Sequence, residues 1–328
     1  MAYEAELRVG IQAVRAAARV CRSVQQRLAT AEALEKKDKS PVTVADFASQ
    51  AIVCEHLMRA LPDDAVVGEE GSEELRQSEQ AALLEAVVRE VGGEAAGDSR
   101  QILDWIDRGG ADARGDRYWT LDPIDGTKGF LRGEQYAVAL GLLEKGQVVV
   151  GILGCPNLDD GDGGRGALFA AVRGEGARAL SLWGDDEGGR PVSVSTITSP
   201  AEARFCESVE SGHSDQDQSA RIASGLGITQ EPFRIDSQCK YAAIARGEAS
   251  IYLRMPTRKD YQEKIWDHAA GMLIATEAGA VVTDITGSPL DFSRGRRLEA
   301  NRGVVCAGAA IHPMIIGAIE ELGISAAV

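Results

Sequence analysis

The sequence has no long hydrophobic run and comparatively little positive charge. Its 328 residues are 44% hydrophobic, but no stretch approaches the roughly 18 consecutive apolar residues of a transmembrane helix. Glu4, Glu6 and Arg8 interrupt the N-terminal residues, so the apolar block of a signal peptide is not expected there. Lysine and arginine total 35 against 50 acidic residues, a net charge of −15. We therefore expect neither a membrane nor a nucleic-acid polymer as partner.

Cysteine is sparse, and no pair has the spacing of a metal or redox motif. The six cysteines, at positions 21, 54, 155, 206, 239 and 306, include no C-x-x-C pair. This pattern predicts reduced thiols in a soluble intracellular protein, of the cytoplasm or of an organelle if a transit peptide has been removed. The sequence also has no EF-hand loop and no serine or cysteine nucleophile motif. It does not determine the oligomeric state, with a monomer slightly favoured.

Helical and extended patterns together predict an α/β (α+β layered) fold. Apolar residues recur every three or four positions over residues 7–28 and 47–61, which is typical of amphipathic helices. Short apolar runs predict strands at residues 65–68 and 118–121 and a hairpin over residues 136–153. Because both element types continue along the chain, we expect stacked layers of helices and sheets.

The distribution of glycine predicts two subdomains and one insertion. A glycine-rich link at residues 161–166 divides an N-terminal part, residues 1–160, from a C-terminal part, residues 161–328. Residues 92–117 are rich in Gly, Asp and Arg, and we predict a long, exposed and mobile insertion with a short helix near residues 102–106.

Two short acidic motifs indicate a site for hard cations. Residues 122–127 read Asp-Pro-Ile-Asp-Gly-Thr, and residues 266–271 read Trp-Asp-His-Ala-Ala-Gly. Because proline disfavours helix at the residue before it, Asp122 ends a strand that enters a turn. Such a turn can aim the carboxylates of Asp122 and Asp125 and the Ile124 carbonyl at one point, and Mg²⁺ prefers oxygen ligands. Asp-Pro alone is more typical of a type I turn, whereas the whole six-residue motif favours the metal.

Three further acids have simpler structural explanations. Glu69 follows a hydrophobic strand and by itself indicates a solvated turn. Asp267 stands before an apolar helical segment and fits a helix N-cap. Asp46 has the N3 place of a capping box begun by Thr43. Alternatively, Asp46 accepts a hydrogen bond from the Thr127 hydroxyl, which then orients an attacking water.

Together the motifs resemble those of a known phosphatase superfamily. Gly68-Glu69-Glu70, the run 122–127 and the run 266–271 are similar, in the same order, to those of the lithium-sensitive, magnesium-dependent phosphatases of the inositol monophosphatase superfamily. The longer run 122–136 and the segments 40–43, 154–157, 236–241 and 261–266 resemble the 3′(2′),5′-bisphosphate nucleotidases. The resemblance implies an αβαβα sandwich like the inositol monophosphatase and fructose-1,6-bisphosphatase fold. It leaves residues 92–117 without a role.

The resemblance also implies a reaction and a set of site residues. The expected reaction is Mg²⁺-dependent removal of the 3′-phosphate of adenosine 3′,5′-bisphosphate to give AMP and phosphate, with the 5′-phosphosulfate analogue as a further substrate. Asp46 and Thr127 would activate the attacking water. The implied ligands of two or three Mg²⁺ ions are Glu69, Asp122, the Ile124 carbonyl, Asp125 and Asp267. The implied substrate contacts are Gly126, Thr127, His213, Ser237, Lys240 and Arg254.

Two other functions stay open at this point. An inositol polyphosphate 1-phosphatase or inositol monophosphatase would use the same acids, and the nucleotide pocket between His213 and Arg254 is the feature that discriminates. By themselves, His213 fits a solvated loop, and Lys240 and Arg254 fit ordinary surface charges. A non-catalytic sensor of bisphosphorylated nucleotide would keep the pocket without turnover, but the intact set of inferred catalytic residues argues against it.

Overall fold

The computed structural model describes residues 2–28, 40–185, 188–209, 216–256, 258 and 260–324. In chain order its helices are α1 Glu4–Leu28, α2 Ser40–Ala60, α3 Ala81–Val91, α4 Ser99–Asp107, α5 Thr127–Leu131, α6 Gln216–Gly225, α7 Cys239–Ala245, α8 Ala269–Glu277 and α9 His312–Glu321. Its strands are β1 Ala65–Gly68, β2 Arg117–Asp125, β3 Ala137–Glu144, β4 Gln147–Asp159, β5 Arg165–Val172, β6 Ala177–Ser181, β7 Arg190–Pro191, β8 Phe205–Glu207, β9 Phe233–Arg234, β10 Ile251–Arg254, β11 Ala280–Thr283 and β12 Val304–Gly308. Short 3-10 helices span Ser78–Gln80, Pro200–Glu202 and Phe292–Arg294.

The first sheet contains β1 to β7 in sequence order. β1 pairs parallel with β2, and the pairs from β2 to β7 are antiparallel. The predicted hairpin is β3–β4, in which Val138 pairs with Gly154. Since β4 and β5 pair directly, the predicted boundary between residues 160 and 161 falls in a turn within this sheet. The division into two subdomains stays a prediction.

The second sheet has the strand order β11-β12-β10-β8-β9. β12 pairs antiparallel with both β11 and β10, whereas β10 pairs parallel with β8 and β8 with β9. β10 is therefore central, and it delivers Arg254 at its carboxyl end.

Helices and sheets alternate in five layers. α1 and α2 pack on one face of the first sheet, α7 and α8 lie between the two sheets, and α6 and α9 cover the outer face of the second. At the centre, Gly151 of β4 lets α8 approach closely, because an added Cβ would lie 2.7 Å from the Ala270 carbonyl oxygen. The layers confirm the predicted αβαβα sandwich. Among the described residues, no helix is long and apolar enough to cross a membrane.

Within residues 92–117 the predicted short helix is present as α4, and its apolar side packs into the fold, so the prediction of a long exposed insertion is wrong. α4 begins with a capping box in which Asp98 accepts from the Gln101 amide at 2.8 Å and Gln101 accepts from the Asp98 amide at 2.9 Å. Ile102 and Ile106 are fully buried against α2. The apolar side of this short helix consists of four buried residues, Ile102, Leu103, Trp105 and Ile106, and the rest of the helix is polar.

Two predicted helix caps are also wrong. α2 begins at Ser40, so Thr43 and Asp46 lie inside the helix and form no capping box. The helix starts before the predicted position because Pro41 is tolerated in a first turn, where its missing N–H would have no partner. α8 begins at Ala269 with His268 at its N-cap, so Asp267 does not cap it. The simpler explanations for Asp46 and Asp267 are thereby removed.

Candidate active site

The first acidic motif lies in a bulge at the end of β2. The pairing of β2 with β3 shifts register between Asp122 and Asp125, and bulges of this kind redirect side chains. The Ser49 hydroxyl of α2 donates to the Pro123 carbonyl at 3.0 Å and fixes the bulge from behind. Gly126 follows with φ of +95°, a left-handed conformation that favours glycine, and α5 begins at the next residue. The turn therefore brings both carboxylates to one cleft.

Four carboxylates meet there without enough positive charge to balance them. Asp122 is only 3% exposed, and its Oδ1 atom has no hydrogen-bond partner among the described residues. Burial raises the pKa of Asp122 well above its usual range, and the nearby charges of Glu69, Asp125 and Asp267 raise it further. Burial, followed by the charge of Asp125, also raises the pKa of Glu69. The cluster is electrostatically unfavourable unless a cation neutralises it.

The donor set fits hard divalent cations. Carboxylate oxygens and a buried carbonyl at Ile124 are the ligands that Mg²⁺ prefers, and the unpartnered Asp122 oxygen lies within the same set. Glu263, Asp267 and His268 also bring ligand-type atoms within 4.8 Å of one another. Glu263 and His268 are already hydrogen-bonded to neighbouring protein groups, so the Asp122 cluster suits the metal better.

Glu69 is positioned by a buried amide from α2. Gln50 accepts from the Glu70 amide at 3.0 Å and donates to the Glu70 carbonyl at 2.6 Å. Arg296 donates to the Gly68 carbonyl at 2.6 Å from the other side. Gly68 leaves the room for Gln50, because an added Cβ would lie 2.4 Å from the Gln50 Oε1 atom. The end of β1 is thus held on both sides of Glu69.

Asp46 lies beside the same strand end. Burial raises its pKa well above the usual range, and the charges of Glu70 and Glu69 add to this effect. Burial also raises the pKa of Glu70, to about 7. The Thr127 side chain is exposed, and the described contacts include no hydrogen bond between Thr127 and Asp46. Their joint role in activating water stays a prediction.

Asp267 faces the cluster from the opposite side. Burial raises its pKa to about 8, with Arg254 opposing the rise and Asp125 adding to it. The Arg254 Nη2 atom lies 4.0 Å from the Asp267 Oδ2 atom. Arg254 therefore lies between the carboxylate cluster and the rest of the cleft.

A buried network holds Arg254 in place. Its Nε donates to Glu263 at 2.8 Å, and its Nη2 donates to the Tyr261 hydroxyl at 3.4 Å. Although burial opposes it, Arg254 and the His268 hydrogen bond lower the pKa of Glu263 to about 2. Burial lowers the pKa of His268, so the neutral ring donates to Glu263 at 3.2 Å and accepts from the Tyr241 hydroxyl at 2.9 Å. These contacts fix the orientation of the Arg254 guanidinium at the cleft.

Lys240 supplies a second cation. It is buried, burial lowers its pKa, and its Nζ lies 5.3 Å from the centre of the Tyr252 ring. Ser237 has φ of +66°, and the next amide, that of Gln238, donates to the Asp125 Oδ2 atom at 2.5 Å. The segment 237–240 thus links the first acidic motif to the cation.

One cleft of about 510 Å³ brings most of the predicted residues together. It is lined by Glu69, Asp122, Ile124, Asp125, Gly126, Thr127, Ser237, Lys240, Arg254 and Asp267. Asp46 lies behind this lining, close enough to raise the pKa of Asp122. His213 lies outside the described residues. The roles of all these residues stay predictions.

Sequence reasoning missed five residues that line the same cleft. They are Lys128, Leu131, Gln238, Tyr252 and Tyr261. Strand periodicity could have found Tyr252, which lies two positions before Arg254 and therefore on the same face of β10. Helical periodicity could have found Leu131, four positions after Thr127. Gln238 lies in the segment 236–241, whose sequence resembles that of the bisphosphate nucleotidases, but neither its spacing nor its residue type indicates a role.

The chain is similar to known proteins over nearly its whole length. A model of the family described as the Inositol monophosphatase family matches residues 3–323. The 3′(2′),5′-bisphosphate nucleotidase of Emericella nidulans is 44% identical, over 98% of this chain and 99% of that protein. The 3′(2′),5′-bisphosphate nucleotidase of Oryza sativa is also 44% identical, over 97% of this chain and 94% of that protein.

A solved structure shares the fold. The inositol monophosphatase from Anabaena (Nostoc) sp. PCC 7120 has a TM-score of 0.65 at 20% identity, covering 98% of this chain and 97% of that one. At this identity the likeness concerns the fold alone. With the family match over nearly the whole chain, it confirms the resemblance drawn from the motifs. The chain belongs to the inositol monophosphatase family.

Proposed function

We propose that the chain is a phosphoric monoester hydrolase that removes the 3′-phosphate of adenosine 3′,5′-bisphosphate, giving AMP and phosphate. Full-length similarity to proteins named 3′(2′),5′-bisphosphate nucleotidase supports this reaction and a small bisphosphorylated nucleotide as substrate. The observation that carries the proposal is a single cleft that combines a carboxylate cluster with the buried cations Lys240 and Arg254.

The carboxylates would hold the metal. The family is metal-dependent, and Mg²⁺ is its general cofactor. Two or three Mg²⁺ ions would be held by Glu69, Asp122, the Ile124 carbonyl, Asp125 and Asp267. When bound, Mg²⁺ neutralises charge on a phosphate and lowers the pKa of water. Asp122 is central to the set, because its buried Oδ1 atom has no protein partner.

Asp46 and Thr127 would move the proton. Burial raises the pKa of Asp46, which makes its carboxylate a stronger base than an exposed aspartate. In the proposed reaction the Thr127 hydroxyl passes a proton from water to Asp46. The water oxygen forms a bond to phosphorus, the bond from phosphorus to the 3′-oxygen breaks, and the 3′-oxygen keeps the electron pair and takes up a proton from solvent to become the 3′-hydroxyl of AMP. No covalent enzyme intermediate is needed.

The rest of the cleft would select the nucleotide. Two Mg²⁺ ions would balance the four carboxylates, so Lys240 and Arg254 would leave the loaded cleft positive in a protein of net charge −15. Tyr252 and Tyr261 give it an aromatic wall that suits a base. The Gly126 and Thr127 amides and Ser237 would face the phosphate. His213 stays a predicted contact. Because the cleft would be positive only with Mg²⁺ bound, substrate binding should require metal.

A phosphate-release panel tests the proposal. The purified chain is assayed with Mg²⁺ on adenosine 3′,5′-bisphosphate, its 5′-phosphosulfate analogue, 3′-AMP, inositol 1,4-bisphosphate and inositol 1-phosphate, with and without lithium. We expect the highest kcat/KM with adenosine 3′,5′-bisphosphate, inhibition by lithium and no turnover after chelation. A preference for an inositol phosphate would assign the chain to the alternative phosphatase activity, and nucleotide binding without turnover would assign it to a sensor.

One variant separates nucleotide recognition from the metal site. Lys240→Met removes a buried cation and should raise KM for adenosine 3′,5′-bisphosphate about tenfold or more, as expected for a lost charge-assisted hydrogen bond. The matched control, Lys145→Met, changes an exposed turn between β3 and β4 and should leave KM unaltered. Equal KM values for the two variants would remove Lys240 from the substrate site.

A further inference from the structure

Gln238 contacts both acidic motifs at once. The residue is 2% exposed, and its backbone amide donates to the Asp125 Oδ2 atom at 2.5 Å. Its side-chain Nε2 donates to the Trp266 carbonyl at 2.9 Å, directly before Asp267. Its Oε1 accepts from the Gly271 amide at 3.0 Å, in the first turn of α8. One residue thus joins the end of β2, through its backbone amide, to the start of α8, through its side chain.

Only an amide of this length satisfies both side-chain partners. The Trp266 carbonyl needs a donor and the Gly271 amide needs an acceptor, and glutamine offers one of each. Both partners are buried backbone groups that would otherwise stay unpaired. The strained φ of +66° at Ser237 is what places the Gln238 amide on Asp125.

We infer that Gln238 is a positioning residue that sets the distance and orientation of Asp125 relative to Asp267. It occupies one oxygen of Asp125 and leaves the other for a cation. It also fixes the peptide that carries Asp267. Groups that orient metal ligands from behind typically contribute a factor of about 10 to 100 in metal affinity. The inference rests on the proposed metal site.

The test is metal binding to the whole protein, without turnover. Metal-free wild type, Gln238→Met and Gln238→Asn are titrated with Mn²⁺, and free Mn²⁺ is measured by electron paramagnetic resonance. The methionine has nearly the same length but no polar group, and the asparagine keeps the amide but is too short to reach both partners. We expect both variants to bind Mn²⁺ about 10 to 100 times more weakly than wild type. A proportionally higher Mg²⁺ concentration should restore kcat.

The matched control is another buried amide that joins two backbone segments. Asn301 is 4% exposed, donates to the Pro289 carbonyl at 2.9 Å and accepts from the Asp291 amide at 2.7 Å, away from the cleft. Asn301→Leu should lower stability and leave the Mn²⁺ dissociation constant unchanged. Wild-type affinity in either folded Gln238 variant, or an equal loss in Asn301→Leu, would overturn the inference. Failure of the wild type itself to bind Mn²⁺ would instead overturn the proposed metal site.

Discussion

Removal of divalent metal should make the stability of this protein fall as pH rises. Asp267 has a pKa of about 8 in the folded protein against the ordinary 3.8. Below pH 4 the carboxyl is protonated in both folded and unfolded chains, so it costs no stability. Between pH 4 and 8 the folded protein holds the proton more tightly, and each rise in pH disfavours folding. Above pH 8 the loss is complete.

The size of the effect follows from the two pKa values. Their separation, at about 1.4 kcal/mol per pH unit, gives an upper limit of about 6 kcal/mol for Asp267. Between pH 5.5 and 8.5 the corresponding loss is about 3 kcal/mol. For comparison, the total free energy of unfolding of a typical folded domain is about 5 to 15 kcal/mol. Burial and mutual repulsion raise the pKa of Asp122 and Glu69 in the same direction, so the cluster adds to the effect.

The assay compares free energies of unfolding in urea, measured by circular dichroism with a chelator present. Wild type, Asp267→Asn and the exposed-turn control Asp63→Asn are compared at pH 5.5 and 8.5. Between pH 5.5 and 8.5, we expect the free energy of unfolding to fall by about 3 kcal/mol more in wild type and in Asp63→Asn than in Asp267→Asn. Because Asp267→Asn and Asp63→Asn have the same net charge, general repulsion cancels between these two variants. An equal loss in all three proteins would refute the reasoning.

Three further predictions concern neighbouring residues. Asp122→Asn should abolish Mg²⁺-dependent phosphate release yet raise the melting temperature of the metal-free protein, since it removes a charge from the buried cluster; an active variant would contradict the site. In urea unfolding, Gly126→Ala should lower the free energy of unfolding by about 1–3 kcal/mol more than Gly133→Ala does. Both glycines have positive φ, but only at Gly126 would an added Cβ be crowded, at 2.9 Å from the Ser237 Cβ. Glu263→Gln should raise the substrate KM about tenfold with a smaller change in kcat, because Arg254 loses a charged partner; an unchanged KM would count against that role.

The sequence alone was sufficient to predict the acidic residues of the site but not the groups that hold those residues in position. Asp122 and Asp125 belong to one short motif, and the turn chemistry of Pro123 already indicates that both side chains leave a strand end together. Gln50 holds the peptide of Glu70, next to Glu69, and the backbone amide of Gln238 donates to Asp125, but neither glutamine has a distinctive spacing in the sequence. Their roles arise only when distant segments meet in the fold.

Local patterns failed where the signal was short or mixed. The predicted apolar periodicity begins at residue 47, whereas α2 begins at Ser40, since proline is compatible with a first helical turn. The short helix predicted near residues 102–106 is present as α4, but the prediction that this segment is exposed did not foresee the burial of Ile102 and Ile106. That burial depends on packing against α2, which sequence periodicity does not report.

The segment after α4 protects an open edge of the first sheet. β1 is the outermost strand there, and outermost strands can recruit a strand from another molecule. The Gly68 amide instead donates to the Gly109 carbonyl at 2.7 Å, and the Ala111 amide donates to the Val66 carbonyl at 3.1 Å. At the opposite edge β7 is only two residues long, and one of them is Pro191, which has no N–H to offer. Within the described residues, both edges of this sheet are therefore protected against pairing with a strand of another molecule. An unprotected edge of a large sheet is prone to aggregation by such pairing.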